Sequence, residues 1–289
     1  MRIRGLRLLA LTGVASASGA ALAQASPGLP VPGGISLQTP VTENAVAVDR
    51  FHNELLVIIT AITVFVLGLL LWVMIRYNRK ANPKPKTFTH NTTVEVIWTL
   101  APVLILVYIA AKSFPLLYQQ DVMPKVEESQ IVDVKVYGRQ WFWSYIYGEG
   151  EETIEYDSNM VPDDQLKPGQ TAKLSVDNPM VVPAGRYIRL SVTASDVIHS
   201  WAMPAFAAKI DAVPGRLNQL WFRVDRPGVY HGQCSELCGT RHAYMPIEVR
   251  VLPVDQYDRW LSLMAASPQQ AREYLDQVQP LAAQVASAQ

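Results

Sequence analysis

Residues 55–75 form 21 consecutive positions without a charged side chain, and Thr60 and Thr63 are their polar members. A helix rises 1.5 Å per residue, so such a run matches a hydrocarbon core of about 30 Å. A second apolar run, residues 96–111, is shorter. It reaches spanning length when Glu95 and Lys112 sit at the two interfaces and the helix continues to Leu117. Pro102 within it is tolerable in a membrane helix. The chain therefore predicts a transmembrane hairpin over 51–118, with helices at about 52–77 and 93–117. The connection carries Arg76, Arg79, Lys80, Lys84 and Lys86 and no acid, which places it in the cytoplasm and both hairpin ends outside.

The first residues agree with that orientation. Arg2, Arg4 and Arg7 precede a short apolar stretch and an Ala21-Leu22-Ala23 cleavage pattern, which predicts a secretory signal peptide over 1–23. Residues 24–50 hold Pro27, Pro30, Pro32, Gly33, Gly34 and Pro40 and read as a flexible outer segment.

From about 125 to 253 the pattern changes to short alternating runs. Residues 131–137, 140–147, 172–176, 187–193, 217–224 and 247–252 read as strands, separated by turns such as Asn178-Pro179 and Pro214-Gly215. Regularly spaced short strands suggest an antiparallel β-sandwich. Residues 254–289 read as a helix to about 279 and then a loose tail.

Lys+Arg and Asp+Glu both number 25, so no basic excess points to nucleic acid. Two cysteines exclude a disulfide-rich scaffold, and the missing CxxCH excludes an attached c-type haem. Residues 121–253 hold 17 acids against 13 bases. Glu149, Glu151, Glu152, Glu155, Asp157, Asp163 and Asp164 fall in one segment without a base. Such a run is either a solubilising loop or a docking surface for a basic partner.

The chemistry concentrates in Gln233-Cys234-Ser235-Glu236-Leu237-Cys238-Gly239-Thr240-Arg241-His242-Ala243-Tyr244-Met245-Pro246. Upstream lies Asp196-Val197-Ile198-His199-Ser200-Trp201. Thiolate, imidazole and thioether are donors that suit copper. Two thiolates can bridge two coppers, with His199 and His242 terminal and Met245 axial. A tetrahedral zinc site on Cys234, Cys238, His199 and His242, or a disulfide between the cysteines, are the alternatives. Neither uses Met245. His231 reads as a strand residue that is not a ligand.

With these motifs go Val94-Glu95-Val96-Ile97-Trp98-Thr99, Gly138-Arg139-Gln140-Trp141-Phe142-Trp143-Ser144-Tyr145 and Asp211-Ala212-Val213-Pro214-Gly215-Arg216-Leu217-Asn218-Gln219. In this order the sequence resembles subunit II of the haem–copper cytochrome c oxidases, over about residues 49–253. The resemblance implies a two-helix transmembrane hairpin carrying an all-β, cupredoxin-like Greek-key sandwich with a binuclear copper centre, CuA. By motif position, Cys234 and Cys238 would bridge the coppers, with His199, His242 and Met245 as ligands. Glu236 would give its carbonyl to copper and its side chain to a magnesium ion shared with subunit I.

The same resemblance implies electron entry at Trp141 from cytochrome c. Electrons then pass to haem in subunit I, where oxygen is reduced with proton translocation; subunit III is the further partner. Asp196 is the foremost acidic contact for the cytochrome, and Glu149, Glu151, Glu152 and Asp157 follow. Arg139 and Phe142 depart from the family, where His and Tyr are frequent. Glu95 completes a capping pattern with Thr92 and, by resemblance, marks the entrance of a proton-uptake channel. The setting implied is a bacterial inner membrane with the copper domain in the periplasm. A copper-delivery or storage protein is the rival reading, and the aromatic motif around Trp141 argues against it.

Overall fold

A computed structural model describes residues 28–279 except 32, 149, 151 and 152. The expected signal peptide and the tail beyond residue 279 lie outside the described residues. Thr42 accepts a hydrogen bond from Ala45 N at 3.0 Å and so caps α1, Glu43–Arg76. Asn91 caps α2, Thr92–Asp121, by accepting from Val94 N. The helices have 34 and 30 residues and are long and apolar enough to cross a membrane. Asn44 and Ala45 are the only residues of the pair buried within the chain, so the apolar flanks face outward.

α1 starts at Glu43 rather than near residue 52, and the reason is its anchorage. Val41 N donates to Ala205 O at 3.1 Å, and Thr42 Oγ1 donates to Phe206 O at 2.9 Å. The helix is therefore launched from the β-domain. Part of the segment read as flexible is likewise fastened, since Gly28 O accepts from His231 N at 3.1 Å.

The domain is a sandwich of two five-stranded sheets. Its strands are β1 Ile131–Arg139, β2 Phe142–Tyr147, β3 Ile154–Ser158, β4 Met180–Pro183, β5 Tyr187–Ala194, β6 His199–Met203, β7 Ala208–Ala212, β8 Asn218–Arg223, β9 Gly228–Cys234 and β10 Pro246–Leu252. One sheet runs β3-β2-β1-β5-β8 and the other β4-β10-β9-β6-β7. β1 with β5 and β4 with β10 are parallel, so the chain crosses between sheets rather than meandering. Alternation sets the core. Val134, Val136, Trp143, Tyr145, Ile188 and Leu190 from one sheet meet Trp201, Met203, Ile247, Val249 and Val251 from the other. Trp201 and Phe222 stack across the gap, 6.1 Å apart and nearly coplanar.

Residues 172–176 do not form the expected strand. They run through turns with Lys173 at φ 66°, a left-handed backbone that ends extended pairing. β3, β4, β6 and β7 were not expected as strands, and of β9 only His231 was. After β10 the single expected helix is two, α3 Val254–Ala266 and α4 Pro268–Val278. Pro268 cannot extend α3 but fits the first turn of α4, which Ser267 caps. α3 packs Trp260 edge-on against Tyr147, ring centroids 5.6 Å apart.

α4 covers the outward face of the second sheet, where a charge network lies buried. Glu248 Oε1 accepts from Arg250 Nε at 2.9 Å, and Oε2 accepts from Val176 N at 3.2 Å. Arg250 reaches Asp276 of α4 at 3.4 Å. His231 pairs across the strands with Glu248, its Nε2 3.9 Å from Glu248 Oε2. Burial lowers the His231 pKa, Glu248 opposes that shift, and Arg250 adds to it, so His231 stays neutral in the folded state below its ordinary range. The unfolded chain then takes up the proton first. Stability should fall as pH drops below about 6.5, the free-histidine value. His231→Phe should flatten that slope, measured by thermal unfolding of the purified chain between pH 7.5 and 5.

Candidate metal centre

Strand pairing brings the donor residues together. His199 opens β6 and Cys234 closes β9, and these strands pair antiparallel through Trp201 opposite Cys234. Ser235 N donates to Ser200 O at 2.9 Å, extending the pairing one residue into the loop. The loop returns where Cys234 N approaches Met245 O at 3.4 Å. Gly239, at φ 120°, makes the bend, and a single 3-10 turn, His242–Tyr244, carries the second imidazole.

The donor atoms converge. The Cys234 and Cys238 Sγ atoms lie 3.9 Å apart, and both side chains are buried. Cys234 Sγ is 4.0 Å from His199 Nδ1 and 3.3 Å from Glu236 O. Cys238 Sγ is 3.5 Å from His242 Nδ1 and 3.5 Å from Met245 Sδ. The His199, Cys234 and Cys238 donors all lie within 4.8 Å of one another. Each sulfur thus has its own imidazole and its own weak donor.

That arrangement tests the alternatives left open by spacing. A disulfide needs an S–S distance of about 2.05 Å, and both cysteines are free thiols. A structural zinc ion uses four ligands, whereas six donor atoms gather here, including a thioether and a carbonyl. Soft sulfur, imidazole and weak axial donors fit copper.

The electrostatics of the two thiols are asymmetric. Burial opposes ionisation of Cys234, but hydrogen bonds from His199 and the backbone bring its thiol down to about 7. Burial beside that sulfur pushes Cys238 up to about 12. Asp196 Oδ1 lies 2.8 Å from His199 Nε2, which directs Nδ1 toward Cys234. The same carboxylate accepts from Val197 N and Gln140 N, each at 2.7 Å. Burial acts against its charge, yet these bonds hold its pKa below the usual carboxylate range.

Aromatic residues back the loop. Trp143 is fully buried, donates Nε1 to Met245 O at 3.2 Å and lies edge-on to His199 at 6.0 Å. Trp141 stands at the β1–β2 turn, outside the strand that alternation assigned it, and donates Nε1 to Cys238 O at 3.2 Å. Gln140 Nε2 donates to the same carbonyl at 2.8 Å. Gln140 was not singled out from sequence; nothing in an amide at a turn signals a partner 98 positions away. Glu236 and Leu237 are exposed at the tip of the loop.

The expected docking acids separate. Asp157 accepts from Ser144 Oγ at 2.6 Å, and that hydroxyl accepts from Arg139 Nε at 3.0 Å. Arg139 also lies 3.9 Å from Glu155, and Asp163 pairs with Lys173. Glu149, Glu151 and Glu152 lie outside the described residues. Glu95 Oε1 accepts from Asn91 N at 3.1 Å, so its partner is the Asn91 cap rather than Thr92.

Comparison with known proteins follows the same line. Residues 132–252 match the family described as cytochrome c oxidase subunit II, periplasmic domain, and residues 30–116 match its transmembrane domain. A probable cytochrome c oxidase subunit 2 of Rickettsia conorii is 46% identical over 233 residues, covering 81% of this chain and 72% of the relative. The chain belongs to the cytochrome c oxidase subunit II family. The subunit 2 of Cereibacter sphaeroides is 42% identical over 252 residues, covering 81% of each chain. The crystal structure of the periplasmic domain of subunit II from Bradyrhizobium japonicum is 44% identical, covers 50% of this chain and 98% of that one, and has a TM-score of 0.45. The His/Cys/Cys cluster fits the CuA site of this family.

Gly138 gives a direct test of how tightly the subunit's site is packed. A Cβ there would lie 2.8 Å from His199 Cδ2 and 2.9 Å from its Cγ. Gly138→Ala should displace the imidazole at a cost of ~1–3 kcal/mol. The expected readout is a changed copper spectrum in a chain that still folds, checked by visible absorption beside far-UV circular dichroism.

Proposed function

We propose that this chain receives electrons from a c-type cytochrome at Trp141 and passes them to haem in subunit I of the oxidase, where oxygen is reduced. Two copper ions would be held by the Cys234 and Cys238 thiolates, the His199 and His242 imidazoles, the Met245 thioether and the Glu236 carbonyl. Bound there, the pair of metals supplies one-electron redox chemistry with the charge shared over both. The observation that carries the reading is two free, buried thiols 3.9 Å apart, with His199 nearest one and His242 nearest the other.

The surrounding residues have separate tasks. The indole of Trp141 touches the carbonyl of Cys238, which gives an incoming electron a short route from a half-buried ring to a ligand residue. Asp196 fixes the His199 tautomer and the turn at Gln140, so it acts first on the ligand and only through its exposed edge on a docking partner. Glu236 is exposed, and its carboxylate is the candidate for a magnesium ion shared with subunit I. Glu95 is exposed at the loop end of α2 and is offered as the proton-uptake entrance. The basic loop supports a cytoplasmic setting for that end in a bacterial cell, with the domain in the periplasm; subunit III is the further neighbour.

Two measurements test this. The purified complex should hold two coppers in this subunit, and Cys234→Ser should abolish the binuclear spectrum because a bridging thiolate is lost. One zinc and no copper would defeat the assignment. Trp141→Phe should leave the spectrum intact yet slow reduction by cytochrome c by about tenfold or more, equivalent to ~1.4 kcal/mol of barrier. Unchanged stopped-flow reduction would remove Trp141 as the entry point.

A further inference from the structure

The hairpin carries a polar cluster that neither the copper site nor the electron route uses. Glu54 on α1 and Lys112 on α2 face each other, with Glu54 Oε2 3.9 Å from Lys112 Nζ. Tyr108, one turn before Lys112, donates its hydroxyl to Glu54 Oε2 at 3.4 Å, and Lys112 Nζ lies 5.9 Å above its ring. Below them the helices leave a cleft of about 520 Å³, walled by Val57, Ile58, Leu104 and Ile105.

Depth is fixed by helix geometry. Glu54 lies 22 residues before Arg76, the end of α1, or about 33 Å along the axis. Lys112 lies 20 residues after Thr92, the start of α2, or about 30 Å. Both distances match a hydrocarbon core of about 30 Å. The two charges therefore sit at the membrane boundary on the domain side, and the cleft extends from them into the bilayer.

Their bonding is incomplete. Among the described residues Glu54 Oε1 accepts no hydrogen bond, and at 3.9 Å the Lys112 ammonium is beyond hydrogen-bond distance of the carboxylate. The Glu54 side chain keeps 35% exposure and that of Lys112 keeps 51%. The cleft thus offers an anion and a cation side by side above an apolar trough.

We propose that this cleft seats a phospholipid of the domain-side leaflet whose headgroup carries a phosphate and a primary ammonium, a phosphatidylethanolamine. The phosphate takes N–H donors from Lys112, the ammonium donates to the free oxygen of Glu54, and one acyl chain lies along Val57, Ile58, Leu104 and Ile105. Charge complementarity selects this occupant. A purely anionic lipid would leave Glu54 facing like charge, and a choline headgroup has no N–H to donate. Moving an acyl chain from bulk lipid into the cleft gains no hydrophobic free energy, because the tails on both sides are equally apolar. Preference must therefore come from the headgroup.

The test uses the assembled oxidase in bilayers of equal phosphatidylethanolamine and phosphatidylcholine. A benzophenone side chain replaces Ile105, or Val57 on the opposite wall should the first variant fail to assemble. Photolysis products are then identified by mass. Phospholipid adducts enriched in ethanolamine over choline are expected. Lys112→Gln should cut phospholipid adducts roughly fivefold, the factor for one basic contact near a membrane surface. Glu54→Gln should leave phospholipid adducts but abolish the preference for ethanolamine. Cross-links from both positions to another oxidase polypeptide would mean that protein fills the cleft, and that would overturn the proposal. So would unmodified lipid proportions in the parent adducts. Copper content and cytochrome oxidation can be read on the same samples, so failure here is separable from failure of the electron-transfer reading.

Discussion

The short pairing of β6 with β9 is the constraint on which the site depends. It has two register pairs, and it sets the end of β9, with Cys234, against the start of β6, with His199. The pairing is possible because Gly232 has no side chain: a Cβ there would fall 1.9 Å from Ala202 O. Beyond its own turn bonds, from His242 N to Gly239 O and from Tyr244 N to Arg241 O, the loop is held by side chains of the first sheet. Trp143, immobile in the core, holds Met245 O from the first sheet, and Gln140 and Trp141 hold Cys238 O from the same sheet. His199 and Cys234 are thus fixed by the second sheet, and Cys238 and Met245 are braced by the first. Donors supported in this way are positioned by the protein itself, which suits the proposed one-electron centre.

How much of this was legible follows from the kind of signal involved. β1, β2, β5, β8 and β10 alternate strongly and were readable. β6 is five residues, His199–Met203, with buried polar positions at its start, and β9 contains His231, Gly232 and Gln233. Their composition belongs to the site rather than to a sheet, so propensity concealed β6 and left β9 marked only at His231. β3 lies within the acid run 149–164, which read as a solubilising loop or a docking surface. Its Tyr156 turns inward while Glu155 turns toward Arg139. The helices were readable as spans, but their starts were not. α1 begins where Thr42 bonds to Phe206 O, a contact across 164 positions that no local pattern encodes.

The donor residues were legible because their chemistry is unusual at that spacing. Roles that depend on direction were not. Asp196 read as a surface acid available to a cytochrome. In the fold its two oxygens accept from Val197, Gln140 and the His199 ring. An acid three residues before a strand carries no sign of which way its carboxylate turns. Arg139, which stands where the family more often has His, is paired with Glu155 and linked through Ser144 to Asp157.

The same lesson applies on the far side of the domain, where alternation misleads by implying solvent. In Pro246–Leu252, Ile247, Val249 and Val251 face the core, and Glu248 and Arg250 point the other way. A strand with that pattern suggests a wet outer face. Instead every residue of β10 is buried, because the segment before β4 and α4 close over it. Buried charges of this kind stabilise little in net terms, but removing one partner leaves the other without compensation. The network therefore acts as a register lock. Arg250 can satisfy Glu248 and Asp276 together only when α4 lies in one position, and Glu248 can accept Val176 N only when the turn before β4 is formed. α4 is thus tied to the strand that follows the metal loop. The fold fastens the loop from inside through Trp143 and from outside through β10.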